Sequence, residues 1–166
     1  VGASRWDDKS GNELHGTVTG ATVENAPADA DSGLTYEEGT WTPALWGNVT
    51  AGNTTYTSRV GSYEKIGRTV HFRGSVQVNS QGTLDGLVYI TGLPFTANAT
   101  SQRSTVHIGY ADSLSITAGE SITGTVDGNT TRLLLRVWNS TQGISNFDDA
   151  ELTDGAEFYF SGTYNV

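Results

Sequence analysis

The segment Thr-Val-His-Phe-Arg-Gly-Ser-Val-Gln-Val at positions 69–78 alternates apolar and polar side chains with a period of two. Successive side chains of an extended strand point to opposite faces. Val70, Phe72, Val76 and Val78 therefore share one face, and His71, Arg73, Ser75 and Gln77 the other. A helix would scatter the same residues around its circumference, so this segment is a strand with a core on one side only. Related patterns occur at 87–90, 105–110, 121–126 and 157–164, the last with Phe158, Phe160 and Tyr164 pointing inward. Helical periodicity is nowhere sustained. Roughly eight strands spaced about ten residues apart, with turn residues between them, predict an all-β fold, an antiparallel β-sandwich of jelly-roll type.

Turn chemistry divides the strands. Gly67-Arg68 and Gly82-Thr83 read as connections, and Asp127-Gly128 before Asn129 reads as a hairpin turn in which Asp-Gly supplies positive φ angles. Pro43 cannot donate to a ladder, which makes its segment an edge strand or a strand start. Residues 1–35 differ from the rest: 26–33 is small, acidic and turn-prone, 17–23 alternates weakly, and the stretch from Trp6 to Asn12 reads as a turn. The expected organisation is an extended leader over 1–35, able to form subunit contacts, followed by a sandwich over 36–166. With no methionine at position 1, the chain is expected to be a fragment, a processed product or an excised domain.

Composition narrows the function classes. With 166 residues the chain is long enough for one core. Its hydrophobic fraction is 36%, low for a compact domain, which fits a thin β-sandwich with much solvated strand surface or an assembly that covers apolar area only when subunits meet. A net charge of −9 with few clustered cations argues against a phosphate-backbone partner and against an anionic membrane surface. No apolar run is long enough to span a bilayer. The absence of cysteine removes disulfides, zinc–thiolate sites and thiol nucleophiles.

Catalysis has little to stand on. The acidic pairs Asp7-Asp8, Glu37-Glu38 and Asp148-Asp149 are adjacent in sequence, and neighbours on a strand face opposite ways, whereas a glycosidase needs two carboxylates across a sugar. His15, His71 and His107 lack metal-binding spacing, and no Gly-x-Ser-x-Gly elbow occurs. The expectation is a non-enzyme without a cofactor. Asn146, Asp148, Asp149, Glu151 and Asp154 concentrate oxygen ligands of the kind Ca2+ prefers, but without an Asp-x-Asp-x-Asp-Gly loop a solvated acidic turn is the favoured reading. Asn-x-Ser/Thr sequons at Asn48, Asn53, Asn98, Asn129 and Asn139 are read as turn and strand-end chemistry.

Carbohydrate binding fits better. Sugars are held by aromatic rings stacked on their C–H faces and by side-chain bonds to their hydroxyls. Trp46, Tyr56, Tyr110 and Trp138 each lie beside Asn, Asp or Thr, and with Asn139, Asp148 and Asp149 they form the candidate glycan-binding set. Packing is the competing role for any one aromatic, and Trp6 and Trp41 are assigned to it.

Three blocks occur in order: Tyr-Glu-Glu-Gly-Thr-Trp-Thr-Pro at 36–43, Gly-Ser-Tyr-Glu-Lys-Ile-Gly-Arg at 61–68 and Ile-Thr-Gly-Leu-Pro-Phe at 90–95. Together they resemble the distal domain of bacteriophage tail fibres and tailspikes. The Ser-Gly-Asn and His-Gly-Thr elements near 10–17 resemble the segment that precedes such domains. The resemblance covers roughly 6–95. It implies a parallel, intertwined homotrimer at a virion tail tip, each copy contributing a β-sandwich that recognises bacterial surface polysaccharide. The alternatives within that resemblance are a trimerisation or folding cap, and a component of a polysaccharide depolymerase. In the matching blocks, Tyr63, Ile66 and Val70 are expected to face the core and Phe95 to plug the sandwich. Contacts with a receptor are expected from the second half, including Tyr110, Trp138 and the 146–154 loop.

Overall fold

A computed structural model describes residues 5–6, 16–17, 35–99, 103–139, 141 and 143–166. The chain forms two compact units, Val1–Leu34 and Thr35–Val166. In the first, β1 (Arg5–Trp6) pairs antiparallel with β2 (Gly16–Thr17). Trp6 thus ends a strand, and the rest of the stretch read as a turn, 7–12, lies outside the described residues. The weak alternation at 17–23 lies outside the described residues beyond Thr17.

The second unit is all-β. Its strands are β3 (Tyr36–Trp41), β4 (Ala44–Gly47), β5 (Thr55–Ile66), β6 (Thr69–Ser80), β7 (Val88–Thr91), β8 (Thr105–Leu114), β9 (Ser121–Val126), β10 (Arg132–Asn139), β11 (Gly143–Asn146) and β12 (Leu152–Asn165). They form one antiparallel sheet in the order β3-β5-β6-β12-β8-β9-β10-β7-β4. β7 and β11 both pair with β10, β7 along Arg132–Leu134 and β11 along Arg136–Asn139. The edge strands β3 and β4 are separated by only Thr42 and Pro43, so the two ends of the sheet lie side by side and the sheet curls upon itself. Pro43 is fully buried at that corner, where no ladder bond is asked of it. The β8–β9 ladder is two residue pairs long, Thr105 with Thr125 and Val106 with Gly124, and beyond it the strands diverge.

One apolar cluster fills the curl, with Val70, Phe72, Val76, Val78, Phe158, Phe160 and Tyr164 from β6 and β12, and Leu133, Leu135 and Val137 from β10. The period-two reading of β6 and β12 holds residue by residue. Each such side chain removed from water contributes about 1.5–3 kcal/mol. Aromatic rings in this core lie close against glycine. A Cβ on Gly61 would fall 2.4 Å from the Trp41 indole, one on Gly74 2.7 Å from Phe160, and one on Gly162 2.7 Å from Phe72. Trp41 meets Phe72 and Phe160 edge to face at 6.2 and 6.0 Å. Its indole N–H is buried without a partner among the described residues, and the ring packs in the core as expected.

Three local expectations are corrected. Ile66 is 44% exposed, because it ends β5 opposite Tyr36 at the edge of the sheet. Leu93 is the buried plug after β7; Phe95 is half-buried, with its ring edge to face with Tyr63 at 5.3 Å. In the β9–β10 loop the positive φ of 58° belongs to Asn129 and not to Gly128. That loop spans 127–131 and is braced by Thr130 Oγ1 donating to the Asp127 carbonyl at 2.6 Å and by the Arg132–Asp127 ion pair at 2.8 Å. The Gly67-Arg68 hairpin forms as expected, with Gly67 at φ 58°.

Candidate functional site

Where β12 crosses β6 and β8, side chains that alternate away from the core build an outer surface. Phe158 and Phe160 face inward, so Tyr159 between them faces out. Tyr110 arrives there by a different route. Phe160 pairs with Ile108, but Tyr159 pairs with Tyr110, which leaves Gly109 as the extra residue of a bulge. Unbroken alternation would set Tyr110 on the same face as the core residues Val106 and Ile108; the bulge turns it over. The Tyr110 and Tyr159 rings then pack at 5.0 Å with a 31° tilt, 43% and 48% exposed.

Carboxylates hold the two phenols. Tyr159 donates its hydroxyl to Glu157 Oε1 at 2.9 Å. That bond, and then the Glu157 charge, push its pKa above the ordinary tyrosine value. For Tyr110 the Asp112 charge is the largest cause of an upward shift, followed by partial desolvation. Asp112 and Glu157 are themselves direct partners across the β8–β12 ladder. Both rings are therefore kept neutral, with acceptors beside them.

The tyrosine pair forms a ridge between two shallow troughs. On one side lies a depression of ≈ 410 Å³, bordered by Val60, Arg73, Ser75, His107, Tyr159 and Ser161. On the other, where β8 and β9 part, lies one of ≈ 400 Å³ bordered by Tyr110, Asp112, Ile116, Glu120, Ser121 and Ile122. Gly109 borders both. Such a surface offers flat apolar rings, hydrogen-bond donors and acceptors, and open access. It suits an extended ligand better than a small enclosed one.

The other sequence candidates lie elsewhere. Trp46 is half-buried on the outside of β4, 5.6 Å from Tyr89, and the Arg132 guanidinium lies 4.5 Å from the Tyr89 ring centre and 5.8 Å from that of Trp46. Tyr89 and Leu134 on that face are only 8% and 6% exposed. Tyr56 accepts the Leu45 N–H at 2.7 Å under Arg59, and burial is the main cause of its raised pKa. Trp138 is 50% exposed opposite Ile144 of β11, without a ring partner among the described residues. Asn139 Oδ1 accepts the Thr141 N–H at 3.1 Å.

Acids of the 146–154 loop bind backbone amides. Asp149 Oδ1 accepts from Gly86 N at 2.9 Å, Asp148 Oδ1 from Ala150 N at 3.0 Å, Glu151 Oε2 from Asp148 N at 2.6 Å and Asp154 Oδ1 from Gln81 N at 2.7 Å. Burial and then the Asp148 charge raise the Glu151 pKa. Among the described residues no three metal-ligating side chains gather. The candidate set is thus dispersed, with Tyr110 alone of its members on the ridge. Tyr159, Arg73, His107, Asp112 and Glu157 were not in it. Outward alternation was the available signal for Tyr159 and Arg73.

No family model matches the chain, and no curated protein matches it by sequence. Among solved structures, the fold is similar to part of the crystal structure of the Dettilon tailspike protein, with a TM-score of 0.68 and 21% identity over 78% of this chain. The chain spans 24% of that protein's length. The likeness extends to the fold, an antiparallel curled sheet found in a tailspike. Among the described residues no helix is long and apolar enough to cross a membrane.

Proposed function

We propose that this chain is a module of a phage tail protein that recognises carbohydrate on the host surface without cleaving it, at the ridge formed by Tyr110 and Tyr159. The observation that carries this reading is the exposed tyrosine pair, turned outward by the Gly109 bulge and set between two open troughs. The rings supply stacking surfaces; Asp112, Glu157, Ser75 and Ser161 supply partners for hydroxyls. The tailspike-like fold and the tail-fibre resemblance of the first half support the same setting, a virion tail acting outside the host cell. Stacking sites of this openness bind weakly one at a time, and three linked copies raise the effective affinity. A homotrimer is accordingly part of the reading, with a solution mass of about three times 17.6 kDa.

The experiment is a glycan array and a host-cell binding assay with the intact chain, run beside a reducing-end assay on the polysaccharides that bind. Binding without released oligosaccharide is the expected result. Absence of binding would favour a structural cap, and released reducing ends would make the module part of a depolymerase.

A further inference from the structure

The two troughs flanking the tyrosines differ in charge, and resting on the reading above, we infer that the glycan carries a carboxylate, seated on Arg73. The strand registers place Ser62, Arg73, Ser161 and His107 in one row across β5, β6, β12 and β8. The next row holds Glu64, His71 and Thr163. Neighbouring strands are about 4.8 Å apart and second-neighbour residues along a strand about 7 Å apart, so Arg73, His107 and His71 are clustered. The side chains between them are serine and threonine, too short to screen them. Arg73 donates Nε–H to Ser62 Oγ at 2.8 Å, which holds the guanidinium in place and leaves its other N–H groups for a ligand. His71 is braced by Thr163 Oγ1 at 2.9 Å from Nδ1.

Arg73 has no carboxylate partner among the described residues, whereas Arg132 pairs with Asp127. In a chain with 18 acidic and 9 basic residues, an exposed arginine that forms no ion pair among the described residues, although Glu64 lies diagonal to it on the same face, is an arrangement that invites an external anion. No carboxylate borders the trough containing Arg73, His107 and Tyr159. Glu64 borders the adjoining depression, which it shares with His71 and Arg73, and it makes no ion pair with the guanidinium. On the far side of the ridge, the trough at Tyr110 is bordered by Asp112 and Glu120. A glycan lying across the ridge is therefore oriented, its acidic sugar over Arg73 and a neutral, hydroxyl-rich sugar beside Asp112. The planar guanidinium matches a carboxylate in two parallel hydrogen bonds. The −9 net charge of the chain opposes this only at long range, since fields beyond about 8–10 Å are screened at physiological salt.

The test uses the intact chain on an array of uronate-bearing and neutral oligosaccharides of matched length, together with the same uronates after reduction of their carboxyl groups to alcohols. Preference for the uronates, lost on reduction, is expected. Arg73→Gln lowers uronate affinity at least tenfold, Arg73→Lys retains part of it, and the melting temperature of each variant stays that of the parent, as the side chain is exposed. Equal binding of uronate and neutral sugars, or an inert Arg73→Gln, overturns the acidic preference. If binding in that case still depends on Tyr110 and Tyr159, carbohydrate recognition at the ridge stands without it. Failure to bind any oligosaccharide or host cell overturns both.

Discussion

Two outer surfaces of the curled sheet pack aromatic side chains in pairs, and the pairs differ in exposure and in the state of the neighbouring cation. On β4, β7 and β10, Trp46 and Tyr89 pack together beneath the Arg132 guanidinium, and Arg132 is tied to Asp127. Tyr89 and Leu134 are nearly inaccessible there. On β12 and β8, Tyr159 and Tyr110 also pack together, but close to half of each remains exposed and the neighbouring Arg73 has no acid partner among the described residues. The same residue types pack where their polar neighbours are satisfied by one another, and stand half-exposed where those neighbours are not; recognition is proposed for the second arrangement. An aromatic beside a polar residue in sequence does not distinguish the two; the state of the nearest cation does.

Truncating each surface in turn, with stability and binding read separately, tells the two apart. Tyr89→Ala is expected to cost about 3 kcal/mol in chemical denaturation, the range for a buried aromatic, with glycan binding of the folded fraction unchanged. The double change Tyr110→Ala and Tyr159→Ala is expected to lower glycan affinity at least tenfold, about 1.4 kcal/mol, while leaving the denaturation midpoint close to that of the parent. Reversal of these two outcomes would dissolve the distinction.

A tyrosine inside the core sharpens the contrast further. Tyr164 is 2% exposed, its hydroxyl donates to the Phe95 carbonyl at 3.0 Å and accepts from Phe95 N at 3.2 Å, and burial pushes its pKa up to about 12. The unfolded chain loses this proton near pH 10 and the folded chain does so only near 12. Stability is thus full below pH 10 and falls by about 1.4 kcal/mol per pH unit through that window. Tyr164→Phe removes this contribution to the alkaline slope, at a cost near neutral pH of about 1 kcal/mol for the lost hydrogen bonds. Tyr110 and Tyr159, exposed and solvent-screened, are expected to leave the slope as it is when replaced by Phe, as alkaline unfolding curves would show. The smallest expected effect belongs to Trp138→Ala. It stands away from the ridge opposite Ile144, and a loss of less than about threefold in glycan affinity, 0.6 kcal/mol, is expected by titration.

How much of this the residues reveal in advance depends on the range of the interaction. The strand face of β6 is legible because alternation is local, and Val70, Phe72, Val76 and Val78 are buried as their spacing requires. The same spacing in β12 marks Phe158 and Phe160 as core, and by implication Tyr159 as exposed, though a Phe-Tyr-Phe run reads at first as one apolar block. Tyr110 is harder. Its spacing from Val106 and Ile108 points it inward, and only pairing with a strand distant in sequence locates the bulge at Gly109 that turns it out. The acids at 148 and 149 resemble ligand groups by composition, yet Asp148 accepts the N–H of Ala150 two residues on, and Asp149 that of Gly86, which becomes its neighbour only on folding. Asn129 takes the left-handed conformation one residue later than the Asp-Gly pair suggests, because Thr130 and Arg132 both fasten Asp127 and lengthen the loop.

Ring resonances of the tyrosines and tryptophans, followed by NMR while an array-positive oligosaccharide is titrated into the intact protein, address the binding surface most directly. Shifts confined to Tyr110 and Tyr159 are expected, with Tyr89 and Trp46 unmoved. Shifts at Tyr89 and Trp46 with Tyr110 and Tyr159 silent would contradict recognition at the ridge.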